Sequence, residues 1–173
     1  MTLKVNDKLK IGELGDFVVL DVDDETKIAL LISERIVGNY PYCNIRGKIP
    51  LYPNSLLQKH LLEHELPYIQ ECLEQAGKYR LCEYNIEVLK ANNEIDFYTT
   101  KISVPSMRLY KQHKEQMQKI FEQTIVTWLS DYVPGTGSVH VYNARFSNQF
   151  DCLEGISARS CVGTHVIIML QPK

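Results

Sequence analysis

Phe17–Val22 (FVVLDV) and Ile28–Ser33 (IALLIS) are two short β-rich apolar runs separated by the polar residues Asp23, Asp24, Glu25 and Thr26. This pattern predicts a β-hairpin with a turn of four to five residues. Neither run alternates apolar with polar residues; both are nearly continuous. Strands covered on both faces read that way, so the hairpin is expected at the centre of the fold with something packed on each side. A third run of the same kind, His165–Leu170 (HVIIML), lies at the end of the sequence. It is expected to pair with the hairpin in one central sheet.

Outward from these strands the periodicity turns helical. Asn54 or Ser55 can cap a helix through LLQKHLLEHEL. Pro67 interrupts it and suits the first turn of a new helix. There Ile69, Cys72, Leu73 and Ala76 form an amphipathic stripe that Gly77 ends. Tyr79–Leu89 reads as strand, Asn92 and Asn93 as a turn, and Ile95–Val104 as a strand stopped by Pro105. From Pro105 the clearest helix places Tyr110, His113, Met117, Ile120, Phe121 and Thr124 on one side. Beyond Trp128 the chain reads as short strands and turns. The expected architecture is one α+β domain over residues 1–173: a central, mostly antiparallel sheet with N- and C-terminal strands paired, flanking helices, and a loop-rich C-terminal half.

Composition excludes several classes. The 19 basic and 21 acidic residues leave a net charge of -2, no electrostatic footprint for nucleic acid. The five cysteines are odd in number and contain no C-x-x-C pair, which argues for reduced, mostly buried thiols rather than a disulfide framework. The start MTLKVNDKLK has no apolar core of a signal peptide, and no apolar run approaches the ~20 residues of a membrane span. A cytoplasmic protein with no membrane partner and no cofactor is expected.

Several of these pieces resemble, in order, a family of uncharacterised bacterial domains common in gut Gram-positives and mobile elements. That family reads W-x-V-L-D-V and A-L-L-I-S, then S-x-L-R-x-W-L, F-L-L-S, W-L-R and a terminal G-V-R-P. Here the corresponding segments are FVVLDV, ALLIS, Ser55–Leu61 (SLLQKHL), Lys101–Val104 (KISV), Thr127–Ser130 (TWLS) and Gly163–Leu170 (GTHVIIML). Phe17 replaces the tryptophan, Ser130 the arginine of W-L-R, and His165-Val166 the R-P pair. The resemblance implies a C-type-lectin-like, sulfatase-modifying-factor-like fold in which a long looped region carries any binding site.

His60-Leu61-Leu62-Glu63-His64 spells H-x-x-E-H, the inverted zinc-peptidase signature. On a helix His60 and His64 share a face, Glu63 is the general base, and a distant carboxylate, for which Glu122 is the candidate, must complete the site. The competing reading, a solvated face of an amphipathic helix whose leucines pack inward, is preferred, and no metal is expected. Cys161 and His165, four apart on a strand, lie too far apart for a nucleophilic dyad, and Cys161 is read as a buried thiol. The segment Tyr132–Phe150 is rich in Tyr, Asn, Ser, Gly and Arg, a composition suited to adaptable recognition. Tyr132, Tyr142, Asn143, Arg145 and Asn148 are therefore the expected partner-binding residues of a non-catalytic module, its partner another protein. An inhibitor of a host defence system, encoded by a phage or mobile element and of anti-CRISPR type, is the alternative.

Overall fold

The computed structural model describes residues 2–43, 51–90, 92, 94–122, 126–132, 138–143, 153–157 and 161–173, and of 132, 138, 140–143 and 153–157 the backbone only. The strands are β1 (Lys8–Ile11), β2 (Gly15–Val22), β3 (Ala29–Ser33), β4 (Gly38–Pro41), β5 (Tyr79–Cys82), β6 (Tyr84–Leu89), β7 (Ile95–Thr100), β8 (Ile102–Ser103), β9 (Val126–Tyr132), β10 (Ser138–Asn143), β11 (Leu153–Ser157), β12 (Cys161–Thr164) and β13 (Ile167–Pro172). The helices are α1 (Leu56–His60), α2 (Leu66–Ala76), α3 (Met107–Gln112) and α4 (Lys114–Phe121). The chain is α+β.

The first sheet has the order β1-β2-β3-β13-β5, with β8 also beside β13. Its centre is the hairpin paired with the terminal strand, Ile32 opposite Ile167 and Leu31 opposite Ile168. Both faces are covered, which is why these strands read as unbroken apolar runs. On one face Phe17, Val19, Leu31, Ile168 and Leu170 join Leu57, Leu61, Ile69 and Leu73 of α1 and α2. On the other, Val18, Leu20, Ile32 and Ile167 meet Tyr110, Met117, Ile120 and Phe121 of α3 and α4. The sheet curls, because α2 touches both β1 and β5. The approach is close at Gly12, where a Cβ would lie 2.4 Å from the Tyr68 hydroxyl and φ is +50°. Only glycine fits there. The hairpin turn is held by Asp23, whose carboxylate accepts from the amides of Glu25 and Thr26 and from the Thr26 hydroxyl.

The second sheet, β11-β10-β9-β12-β4, is antiparallel except between β9 and β12. Trp128 at its centre is fully buried, donates Nε1–H to the Tyr40 carbonyl at 2.7 Å, and stands edge-on to Tyr42. The β12–β13 segment passes from this sheet to the first. At the crossing Ser33 clasps it: its amide donates to the Val166 carbonyl, its hydroxyl accepts from the Val166 amide, and its carbonyl lies 2.8 Å from His165 Nδ1.

Four sequence expectations change. Pro67 does not interrupt the first helix. Leu61–Glu65 form a π turn in which Leu66 N–H reaches back to the Leu61 carbonyl, and α1 runs through it into α2. The wider turn absorbs the amide that proline cannot supply. The helix after Pro105 starts at Met107 and breaks at His113, whose φ of -117° lies outside the helical range. Cys161 is exposed rather than buried, at the start of β12 opposite Pro41. The strand expected over Ile95–Val104 divides at Lys101 into β7 and β8, and its first part is exposed.

A polar network in the core was not foreseen. Tyr52 donates its hydroxyl to Gln58 Oε1 and accepts from the Val104 amide, while Gln58 Nε2 donates to Thr100 Oγ1 and to the Ile102 carbonyl. All of these groups are buried and each has a partner. Tyr52→Phe strands the Val104 amide and the Gln58 carbonyl oxygen. It is expected to cost about 1–3 kcal/mol, read as a lower urea midpoint at unchanged slope. An unchanged midpoint would mean that water reaches these groups.

Candidate functional site

The β6–β7 hairpin forms a sheet of its own, and Asp131 fixes it to the rest of the fold. Asp131 is the last residue but one of β9, whose preceding residues Trp128, Leu129 and Ser130 are buried, and it is buried itself. One carboxylate oxygen accepts from the Leu89 amide at 2.9 Å, the other from the Met107 amide at 2.5 Å. The last residue of β6 and the first of α3 are thus tied to one side chain. Burial raises the Asp131 carboxyl above its ordinary range, against the hydrogen bonds that favour the ionised form. Ser106 caps α3 by accepting from the Leu109 amide.

Between this hairpin and α3 runs a groove, which the Glu87–Arg108 ion pair divides into two lobes. The inner lobe, about 290 Å³, reaches the first sheet at Ile167 and Met169. Tyr84 lines it, its hydroxyl 2.8 Å from both the Ser103 hydroxyl and the Ile167 carbonyl. Burial holds the phenol well above its ordinary pKa, so it keeps its proton, donating to the Ile167 carbonyl and accepting from the Ser103 hydroxyl. The outer lobe, about 410 Å³, has apolar walls of Leu89, Ile95 and Met107, with Arg108 and Lys111 at its rim. No histidine or cysteine is among the lining residues, and the Ser103 hydroxyl is engaged by the Tyr84 phenol. The groove can bind; a nucleophile–base pair is not among its described residues. Ile95 of the apolar wall and its neighbour Phe97 are 56% and 66% exposed, the largest exposures of any large apolar side chain described.

The H-x-x-E-H residues lie elsewhere. His60 packs at a tilt against Tyr40 and His64, ring centres 4.0 and 4.5 Å away. Glu63 turns out to Lys59, and it is Glu65 that lies 3.8 Å from His60 Nε2 while accepting from the Tyr40 hydroxyl. Partial burial, reinforced by His64, lowers the His60 pKa. Glu122 caps the end of α4, across the first sheet from α1, and cannot join them. Among the described residues no three His, Cys, Asp or Glu side chains converge as metal ligands.

The residues expected to bind a partner are only partly placed. Tyr132 ends β9 opposite Val139, whereas Tyr142 and Asn143 lie at the other end of the same strand pair, opposite Thr127 and Val126. The pairing does not bring Tyr132 together with them. Their side chains, and Arg145 and Asn148 entirely, lie outside the described residues. Tyr42 and Tyr52 are fully buried and present no surface to a partner. Sequence reasoning missed Asp131 and the groove, because nothing in IDFYTT distinguishes a covered strand from an exposed one. Among the described residues no helix is long and apolar enough to cross a membrane. The chain matches no family model, and no curated protein or solved structure is significantly similar to it.

Proposed function

We propose that this chain is a non-catalytic recognition module that binds another protein. The reading rests on the outer lobe of the groove: apolar walls beneath the rim cations Arg108 and Lys111, beside the exposed Ile95 and Phe97. Exposed large apolar side chains around a concave surface mark interaction sites. The chemistry suits a segment that sets an apolar side chain between Leu89 and Met107 and an acidic one near Lys111. A buried catalytic group is not needed for this, and the fixed Asp131 link preorganises the walls.

Selection of a displayed random-peptide library on the protein tests the proposal. Enriched peptides are expected to combine apolar and acidic residues and to bind at least ~10-fold more weakly to Lys111→Glu and Met107→Asp. Tyr142→Ala and Arg145→Ala form the second arm, for the surface nominated by sequence. If binding falls there by about 1 kcal/mol or more and the groove variants bind normally, the recognition surface lies on the β10 side. Absence of any peptide sensitive to either set overturns the reading.

A further inference from the structure

We infer that β7 is a self-association edge, and that a second copy of this chain pairs with it antiparallel about Phe97. Among the described residues β7 pairs with β6 alone. In that pair Lys90 N–H donates to the Glu94 carbonyl, closing the hairpin, whereas the Leu89 and Phe97 amides donate to the carboxylates of Asp131 and Asp96. The pairs Leu89–Ile95, Glu87–Phe97 and Asn85–Thr99 are therefore the non-hydrogen-bonded ones. It follows that the backbone groups of Ile95, Phe97 and Thr99 point away from β6, to the open edge.

Open edges invite pairing, and proteins usually blunt them. The edge strand β1 carries Lys8 and Lys10, and the edge strand β4 is four residues long and ends in Pro41. β7 carries Ile95 and Phe97, more than half exposed, with Tyr98, Thr99 and Thr100 only after them. Among the described residues its one shield is Asp96, whose Oδ1 accepts from the Phe97 amide at 3.0 Å and must release it when a strand arrives.

The occupant follows from the register. Outward groups must meet outward groups, so an antiparallel copy centres on a residue and never between two; centring on Ile95 opposes Asp96 to Glu94, and centring on Thr99 opposes Phe97 to Lys101. Centring on Asp96 sets two carboxylates face to face. Centring on Tyr98 puts Ile95 opposite Lys101. Centring on Phe97 puts the two rings opposite each other, Ile95 opposite Thr99 and Asp96 opposite Tyr98, with no like charges opposed. The strand is thus complementary to itself in one register. The two-fold axis is then perpendicular to the sheet, so both copies present the same face, and β6-β7 becomes four-stranded with two grooves side by side. This goes beyond peptide binding by the groove and does not require it.

Cysteine cross-linking in a Cys161→Ser background tests the register. Opposed residues of a hydrogen-bonded pair have Cα atoms roughly 5.5 Å apart, within disulfide range. Phe97→Cys is expected to give a covalent dimer on mild oxidation, and Ile95→Cys, which faces Thr99 of the other copy, is not. Sedimentation of the wild type should show mass rising from one chain toward two between about 1 and 300 µM, the range of weak interfaces. Thr99→Pro, at an exposed position, removes an edge amide and should abolish the rise with an unchanged melting temperature. A wild type monomeric throughout, or cross-linking equal at 95 and 97, overturns the inference. A monomer that still selects groove-dependent peptides separates this failure from failure of the proposed function.

Discussion

Phe121→Ala is expected to lower stability by about 3–5 kcal/mol, the cost of removing a large buried ring whose surroundings collapse only in part. Phe121 is fully buried at the end of α4. Its ring lies nearly parallel to Tyr110 with centres 6.2 Å apart, and 5.1 Å from the ring of His165. Val18, Leu20, Ile32, Leu129 and Ile167 complete the cluster. The cluster to which this side chain belongs therefore joins both helical segments, the hairpin, the terminal strand and β9. The break at His113 divides the helix into pieces of six and eight residues, too short to hold on propensity alone. Their anchorage is the packed face, to which the ring belongs. A urea titration should show the midpoint falling with an unchanged slope. A loss below ~1 kcal/mol would mean that α4 is not clamped to the sheet.

That cluster also shows what could be read from the sequence. Unbroken apolar runs state that a strand is covered twice, and the two covering helices are visible as stripes. The pairing of Ile167–Leu170 with the hairpin follows, since three such runs have no other way to hide both faces. The stop at Gly77 was readable for a similar reason: a left-handed residue, φ +69°, needs glycine. What was not legible depends on contacts between distant segments. Asp131 reads as one more polar residue after a strand, until Leu89 and Met107 bring it two amides from 42 and 24 residues away. Gln58 reads as the polar side of a helix, yet it is buried against the ends of β7 and β8. IDFYTT has the composition of a core strand, and its exposure is decided by β7 having no neighbour but β6 among the described residues. The lectin-like expectation rests on motif order and has no matching structure behind it.

Acid should weaken this protein through His165, by about 3 kcal/mol between pH 6.5 and pH 4. His165 is fully buried where the chain crosses from one sheet to the other. Its Nδ1 faces the Ser33 carbonyl at 2.8 Å, and a carbonyl only accepts, so Nδ1 carries the proton of the neutral ring. Burial pushes its pKa down to about 4, against the Ser33 contact, which favours the charged form. Unfolded, the same imidazole titrates near 6.5. Between these values the unfolded chain holds a proton that the folded chain does not, so stability is full above about 6.5 and falls as pH drops toward 4. Below that both states are protonated and the loss stays constant. Carboxylates contribute at the acid end, and His60, lowered by partial burial, adds in the same direction. The measurement is therefore a difference between two proteins. His165→Asn places an amide nitrogen where Nδ1 stood and keeps the bond to Ser33 without a titrating group. Urea midpoints taken from pH 7.5 to pH 4.5 should fall steeply for the wild type and markedly less for the variant. Parallel curves would show that His165 takes up its proton inside the fold, with water or a carboxylate at the crossing.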